Sequence, residues 1–235
     1  FQKIGQEAFG AVTYTEGATG EVLPGDPLRY YGVVDVPMTE FWYPGPPSAQ
    51  NRNGKPVGCA ASAAHLYNKR QVAAEACTQF GVQWTEHPFS VKYLIDHNFT
   101  LGVNHLVFHT FTHTPQKEVY PGSTFGSGIG FPLVRGQTWW RHTPAWIDYL
   151  SRCQYLLQQG EYVADVLWYL GDNLDVPPAQ DTPFVEGYRF DHLNAEVLHD
   201  RLSVNAGRLH VRDGGDYRLI RLRDSGRMLR STAER

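Results

Sequence analysis

The chain has 235 residues, of which 42% are hydrophobic and 19% are charged, a balance typical of a globular protein with a substantial core. Its formal net charge of −3 provides neither a basic surface for nucleic acid nor a polybasic patch for membranes. No apolar run approaches the roughly 20 residues that a membrane-spanning helix needs. We therefore expect neither nucleic acid nor a membrane span.

The three cysteines, Cys59, Cys77 and Cys153, are far apart and form no CxxC pair. Buried free thiols are therefore the favoured interpretation, and a disulfide framework is not expected. The chain begins at Phe1 without methionine and ends shortly after a predicted core strand. We interpret it as a fragment of a longer protein, so the missing signal peptide says nothing about its compartment.

The first half of the chain alternates between predicted strands and helices. Residues 1–29 contain many glycines and prolines and indicate loops or a hairpin. A strand is predicted at 31–36, ending at Pro37, with Glu40 just beyond it. Residues 44–56 are typical of a surface loop. The remaining predictions here are a helix at 60–67 and a short buried strand at 71–78 that carries Glu75.

The second half of the chain continues this alternation of strands and helices up to about residue 160, and a second α/β segment follows. The spacing of apolar residues predicts helices at 90–101 and 144–159, which enclose a β-rich run at 103–113 and a glycine-rich loop at 121–130. From residue 163 we expect another α/β segment with these elements: a buried strand at 163–170, a loop to Pro183, a helix at 192–202, a hairpin at 205–211 and a strand at 217–223.

This order of elements predicts an α/β fold. Alternating strands and helices, with the long loops following the strands, are typical of a parallel sheet or a (β/α) barrel. Only about three βα units are visible in the sequence, so the sheet is either open or part of a truncated barrel. The truncated barrel is the preferred interpretation, with residues 1–162 in it and residues 163–235 beginning a second, truncated domain.

Glu75 and Glu40 are the strongest catalytic candidates. Each lies at or just beyond the end of a predicted strand, where the ligand-binding mouth of an α/β fold is built. Burying an unpaired carboxylate in a strand lowers the stability of the fold by several kcal/mol. A carboxylate found there is therefore expected to be paired or to have a function. Two carboxylates facing one mouth are the minimal equipment for glycoside hydrolysis. The structural alternative for each is a salt bridge to a neighbouring strand.

Two histidines also lie near the end of a predicted strand, the β-rich run at 103–113. Alternation places His109 and His113 on one face, near the end of the run. A strand separates them by about 13 Å, too far to share one metal ion easily, and no HExxH motif is present. We therefore favour hydrogen bonding to a ligand over zinc binding.

Aromatic residues are dense around the predicted strand ends. Aromatic faces pack against the apolar side of sugar rings, while polar neighbours bind the hydroxyl groups. Core packing is the alternative for most of these rings. The stretch 126–130 is not a dinucleotide fingerprint, and Walker A and GxSxG motifs are missing from the sequence. The substrate-binding candidates are Trp42, Trp139 and Trp140.

Seven blocks in order resemble the α-L-rhamnosidases of glycoside hydrolase family 106. Each block is short, but their succession over roughly residues 30–220 is specific. They are 35–42 (DVPMTEFW), 62–67 (SAAHLY), 72–78 (VAAEACT), 107–113 (VFHTFTH), 137–140 (QTWW), 149–160 (YLSRCQYLLQQG) and 187–196 (GYRFDHLNAE).

The resemblance implies the C-terminal portion of a (β/α)8 TIM barrel, followed by the start of a Rossmann-like domain. It implies an inverting enzyme acting on terminal α-L-rhamnosides, with a calcium ion near the sugar. Glu75 would be the general base at the end of the seventh barrel strand. Glu40, ending the sixth, would bind metal or substrate, and His109 and His113 would line the pocket after the eighth.

The same resemblance places the general acid upstream of Phe1, so the fragment alone is expected to be inactive. It also suggests a secreted or periplasmic protein, and structural rather than catalytic roles for Asp191 and Asn194. Two alternatives stay open: a retaining barrel glycosidase of another family, and a carbohydrate-binding protein without catalytic activity.

Overall fold

The computed structural model describes residues 2–16, 25–43, 57–126, 128–172, 187–222 and 228–235. Within these ranges the protein has a mixed α/β architecture. The helices are α1 (Gln2–Phe9), α2 (Pro27–Gly32), α3 (Val57–Leu66), α4 (Pro88–Thr100), α5 (Thr143–Leu157), α6 (Ala195–Asp200) and α7 (Arg230–Ala233). The strands are β1 (Tyr14–Glu16), β2 (Val36–Trp42), β3 (Ala73–Thr78), β4 (His105–Phe108), β5 (Val166–Tyr169), β6 (Phe190–Leu193), β7 (Leu202–Asn205), β8 (Arg208–Val211), β9 (Asp216–Tyr217) and β10 (Leu219–Arg221).

The first four strands form a sheet in the order β1-β2-β3-β4. β1 pairs in parallel with β2, and β3 pairs in parallel with β4. Their registers set Glu16 opposite Met38 and Glu75 opposite Val107. In the described part of the chain this sheet does not close on itself, and β1 and β4 are its edges.

Two smaller sheets lie in the C-terminal part of the chain. β10, β5 and β6 form a parallel sheet in that order, and β7, β8 and β9 form an antiparallel one. The hairpin predicted at 205–211 is confirmed by the pairing of β7 with β8.

The chain divides into two compact units. The first comprises Phe1–Thr39, Asn53–Val72 and Gly160–Arg235, and the second comprises Glu40–Arg52 and Ala73–Gln159. No helix in the described ranges is both long enough and apolar enough to cross a membrane.

The first unit packs around α3, whose alanines are almost completely buried. Small side chains allow α3 to lie close to both α2 and β6. Gly32, at the end of α2, shows how close this packing is. A Cβ atom on Gly32 would lie 2.8 Å from the ring of Tyr67, so a larger residue there requires the ring to move.

A buried carboxylate organises the polar side of this unit. Asp191 on β6 is 2% exposed, accepts a hydrogen bond from the Tyr217 hydroxyl at 2.8 Å and contacts His65 Nδ1 at 2.8 Å. The ring of Tyr162 stacks on His65 with 4.0 Å between ring centroids. Asn194 caps α6 by accepting from the Val197 amide at 2.9 Å. These contacts support the structural roles expected for Asp191 and Asn194.

His192 makes the first unit sensitive to acid. Burial lowers the pKa of His192 from 6.5 to about 4, although the neighbouring Asp191 carboxylate opposes this shift. Between these values the unfolded chain binds a proton that the folded protein does not. The free energy of unfolding is therefore expected to fall by up to about 3 kcal/mol as the pH decreases from 6.5 to 4.

Urea unfolding of the purified protein at several pH values between 4 and 7 measures this dependence. His192→Gln removes the titrating group, so its unfolding midpoint is expected to vary less with pH than that of the wild type. His142→Gln is the matched control, because His142 is exposed, and it should keep the wild-type slope. An unchanged slope in His192→Gln would contradict this assignment.

The second unit is built from β3, β4, α4 and α5. α4 buries Val91, Leu94 and Ile95, and it begins with a capping box between His87 and Ser90. Gly102 follows its end with a φ of 107°, in the conformation that glycine favours. An aromatic cluster includes Trp146 of α5, with centroid separations of 5.2–6.4 Å between neighbouring rings. Its other members are Phe108, Phe131 and Trp139.

The predictions for α3, β3, α4, α5 and β5 are confirmed, with small differences at their ends. The prediction of loops or a hairpin over residues 1–29 was wrong, because α1 and β1 lie there and α2 begins at Pro27. The strand predicted at 31–36 was also wrong. Asp26 caps α2 by accepting from the Leu28 amide at 2.9 Å, and the strand begins only at Val36.

Three further boundaries differ from the predictions. β4 ends at Phe108, so the alternation proposed for residues 109–113 does not apply. The helix predicted at 192–202 is shorter, because His192 and Leu193 belong to β6. The strand predicted at 217–223 is divided between β9 and β10. The loop predicted at 44–56 and most of the loop ending at Pro183 lie outside the described residues.

The cysteine prediction is confirmed for the free state of all three thiols. Cys59 and Cys77 are buried, whereas Cys153 is partly exposed.

Candidate active site

β3 presents one carboxylate among small buried side chains. Ala73, Ala74 and Ala76 are at most 2% exposed, whereas Glu75 is only partly buried. β4 lies on one side of β3 in parallel, and α4 contacts the strand. Ala74 and Ala76 point to the opposite face of the sheet, so their burial holds β3 in place while Glu75 stays partly exposed on the other face.

The end of β3 turns back toward Glu75. Cys77 has a φ of 65°, a left-handed conformation that interrupts the strand alternation. The Thr78 hydroxyl donates a hydrogen bond to Glu75 Oε1. The Thr78 carbonyl accepts from the Tyr43 amide at 2.8 Å, which anchors the turn to the end of β2. The orientation of the Glu75 carboxylate is therefore set by its own strand.

Glu40 lies beside Glu75. A carboxylate oxygen of Glu40 and one of Glu75 lie within 4.8 Å of each other. Glu40 is inside β2 and 4% exposed, so the prediction that it follows the strand end was wrong by a few residues. Two like charges at about 4 Å repel each other by about 1 kcal/mol in water and more in a partly buried site. Such a pair favours a bound cation.

The spacing of these oxygens suits a calcium ion. Calcium binds carboxylate oxygens at about 2.3–2.6 Å, so two ligands of one ion are separated by at most about 5 Å. The two glutamates meet both the chemical and the geometric requirement.

The same spacing restricts the catalytic roles of the two glutamates. The acid and base of an inverting glycosidase stand about 6.5–9.5 Å apart, because a water molecule lies between the base and the sugar. The Glu40 and Glu75 oxygens are closer than that. In an inverting mechanism Glu40 therefore does not serve as the acid for Glu75.

Of the two predicted histidines, only His109 is tied to β3. Its amide donates to the Ala76 carbonyl at 3.3 Å, one residue after Glu75. Its ring packs edge-on against Phe125 at 5.7 Å, and its Nδ1 atom is buried without a hydrogen-bond partner in the described residues. His113 is exposed and lies five residues beyond the end of β4.

The predicted tryptophans divide into two groups. The ring of Trp42 packs against Phe80 at 4.8 Å, and that of Trp140 packs against Phe111 at 6.2 Å. Both phenylalanines are more than half exposed, so these pairs are accessible to a ligand. Trp139 differs, because its Nε1 donates to the Glu86 carbonyl at 2.9 Å and its ring belongs to the aromatic cluster. Its position indicates a role in packing.

Sequence reasoning missed two carboxylates at or near strand ends. Glu16 ends β1, and its register partner Met38 lies two residues before Glu40 on β2. The β-prone triplet 14–16 before Gly17 was the available signal. Glu86 is 3% exposed and accepts hydrogen bonds from Gln79 Nε2 and the Gln83 amide, both at 2.9 Å. No pattern in the sequence marks Glu86 as buried.

Comparison with known proteins decides the family. Residues 3–235 match the family model of the glycoside hydrolase family 106 α-L-rhamnosidases. The chain belongs to family 106. The resemblance found in the seven sequence blocks is thereby confirmed.

Two relatives of this family 106 chain are much longer than the chain itself. A protein from Formosa agariphila with the provisional name beta-glucuronidase is 34% identical over a 208-residue alignment, and the match covers 86% of this chain and 17% of that protein. The structure of the rhamnosidase from Novosphingobium sp. PP1Y matches with a TM-score of 0.83 and 27% identity, covering 99% of this chain and 23% of that one. The chain thus spans about a fifth of the length of these relatives.

Proposed function

We propose that this chain is part of a longer glycosidase, called the parent protein below, which removes terminal α-L-rhamnose from plant or bacterial polysaccharides or glycosides. The observation that carries the proposal is the placement of Glu75 in a family 106 chain. It is a partly exposed carboxylate on a buried strand, oriented by Thr78 and close to Glu40.

Glu75 acts in this proposal as the general base of an inverting reaction. Its carboxylate takes a proton from a water molecule while the water oxygen forms a bond to the anomeric carbon. The bond from that carbon to the leaving oxygen breaks, and a general acid outside this chain protonates the oxygen. The Thr78 hydroxyl orients the accepting carboxylate by donating a hydrogen bond to Glu75 Oε1. Without the acid, the isolated chain is expected to be inactive.

The surrounding side chains bind the sugar in this proposal. Trp42 and Trp140, with their exposed phenylalanine neighbours, offer apolar faces to the ring, and His109 offers a nitrogen for hydrogen bonding. His113 and Trp139 remain candidates, His113 because of its exposure and Trp139 because it is only partly buried.

Glu40 would be the main ligand of a calcium ion in the parent protein, with a Glu75 oxygen within reach of the same ion. The ion would supply positive charge that offsets the two carboxylates and orients sugar hydroxyl groups. The support is the oxygen separation and the chemistry of the two donors.

The proposed architecture rests on membership of family 106 and on the order of the strands. The sheet β1-β2-β3-β4, with α3 and α4 connecting successive strands, supports the C-terminal portion of a (β/α)8 TIM barrel over residues 1–162. The parallel sheet β10-β5-β6 supports a Rossmann-like α/β domain beginning at residue 163.

A retaining mechanism is the second candidate. The observation that favours it is the short separation of the Glu40 and Glu75 oxygens, since the two carboxylates of retaining enzymes stand only about 5–5.5 Å apart. Glu75 and Glu40 would then be nucleophile and acid within this chain. A carbohydrate-binding protein without catalysis is the alternative of another class.

The parent protein tests these proposals in one assay with an aryl α-L-rhamnoside, followed by NMR of the fresh product. We expect hydrolysis with β-L-rhamnose as the first product, because inversion changes the anomeric configuration. Release of α-L-rhamnose would instead establish retention. An aryl β-glucuronide is the matched comparison, given the name of the Formosa relative. Cleavage of the glucuronide alone would contradict the proposed substrate, and binding without cleavage would favour the non-catalytic protein.

A further inference from the structure

Glu86 is a buried carboxylate that the proposed reaction does not use. It lies in the loop after β3 and is 3% exposed. Its Oε1 accepts two hydrogen bonds at 2.9 Å, one from the Gln79 side chain and one from the Gln83 amide. Burying a carboxylate costs several kcal/mol, which these charge-assisted bonds offset. The carboxylate thus fixes both ends of the loop 79–86.

This loop is joined to residues 128–131. The Gly130 amide donates to the Gln79 carbonyl at 2.9 Å, and the Val82 amide donates to the Gly128 carbonyl at 3.1 Å. The Gln79 side chain also lies 3.4 Å from the Gly130 carbonyl oxygen. Gln79 therefore links Glu86 to residues 128–131, because its side chain contacts both the Glu86 carboxylate and the Gly130 carbonyl.

Residues 128–131 are joined in turn to the end of β4. The Phe131 amide donates to the His109 carbonyl at 2.5 Å, and the Thr110 amide donates to the Phe131 carbonyl at 3.4 Å. Gly130 has a φ of 93°, and a Cβ atom there would lie 2.9 Å from the His109 carbonyl oxygen. Only glycine permits this approach without a backbone shift.

We propose that Glu86 is a positioning residue for the active site. Through Gln79 and residues 128–131 it holds the ends of β3 and β4 together, and with them Glu75 and His109. This inference rests on the proposed function. Gln79 directly follows Thr78, whose hydroxyl orients Glu75, so a change in the Gln79 peptide is transmitted to the carboxylate. A displacement of about 1 Å in a catalytic group can lower a rate about 100-fold.

Glu86→Gln and Gln79→Met in the parent protein test this inference. Both keep side-chain length. Glu86→Gln weakens the two accepted hydrogen bonds because they lose their charge assistance, and Gln79→Met removes one donor altogether. Each is expected to lower kcat on an aryl α-L-rhamnoside about 10- to 100-fold, with KM changed by less than about threefold, because positioning and not sugar contact is lost. The double variant should be no slower than the slower single variant, since both residues act in one chain of contacts.

Asp191→Asn is the matched control, because Asp191 is an equally buried carboxylate with two side-chain partners. It should lower the thermal midpoint while kcat stays near the wild-type value. Wild-type kcat in folded Glu86→Gln and Gln79→Met would overturn the proposal. An equal kcat loss in Asp191→Asn would also overturn it, by showing a general effect of destabilisation. If Glu86→Gln does not fold, Gln79→Met decides alone.

The failure of this inference is distinguishable from that of the proposed function. A parent protein that does not cleave glycosides, or that keeps its rate without the Glu75 carboxylate, contradicts the proposed function. A parent protein that needs Glu75 but tolerates both Glu86→Gln and Gln79→Met contradicts the positioning role only.

Discussion

Replacing Glu75 with glutamine is expected to lower kcat/KM of the parent protein about 10²–10⁴-fold on an aryl α-L-rhamnoside, the range typical of a lost general base. Glutamine has the same shape and can still accept the Thr78 hydrogen bond, but it takes no proton from water. Steady-state kinetics with a thermal melt separates loss of chemistry from loss of folding. The melting temperature should change little.

Glu118→Gln is the control for this experiment. Glu118 is an exposed glutamate of the same unit, so its substitution should leave both kinetics and melting unchanged. Unchanged turnover in a folded Glu75→Gln variant would show that another group is the base.

Removal of calcium is expected to inactivate the parent protein, and Glu40→Gln should have a comparable effect at low calcium. The charge on Glu40 is a large part of the attraction for the ion, since its oxygen and that of Glu75 face each other within 4.8 Å. Calcium at about 100 times its Kd should stabilise the wild-type protein by about 2.7 kcal/mol, and this stabilisation should be lost or weakened in Glu40→Gln.

The measurements are activity after exhaustive chelation and thermal melting over a calcium titration. Melting gives a readout that does not depend on catalysis. Asp148→Asn on α5 is the control for a general effect of lost negative charge, and it should respond to calcium like the wild type. Full activity after chelation, or an equal calcium response in Glu40→Gln, would contradict the metal site.

Several elements could be predicted because their signals are local. The apolar spacing of α4 and α5, and the glycines that follow them, are properties of consecutive residues. The strand around Glu75 was predictable because a short apolar run with small residues suits a buried strand. The general rule that α/β folds bind ligands at strand ends predicted its position only approximately, because Glu75 is the third of the six residues of β3 and not at its end.

Other elements were missed because competing local signals decided them. The aromatic and β-branched residues at 31–36 suggested a strand, but Asp26 at the N-cap and Pro27 at the first turn begin a helix there. The β-rich run at 103–113 is a strand only from His105 to Phe108, and the next two residues, His109 and Thr110, form hydrogen bonds with Phe131 instead. His109 and His113 therefore do not lie on one face of a strand, as the alternation had predicted.

The sequence by itself determined the family, the mixed α/β class and the carboxylate on β3. Each of these depends on short motifs or on the sizes of consecutive side chains, which the sequence shows directly. Only the tertiary structure decided that carboxylate oxygens of Glu40 and Glu75, 35 positions apart along the chain, lie within 4.8 Å of each other, and that Glu86 is buried and bonded to Gln79. The physical reason is that these contacts join residues on neighbouring strands and in packed loops, which are far apart along the chain. Distances between side chains on neighbouring strands depend on register and on left-handed turns such as that at Cys77, which no local pattern encodes.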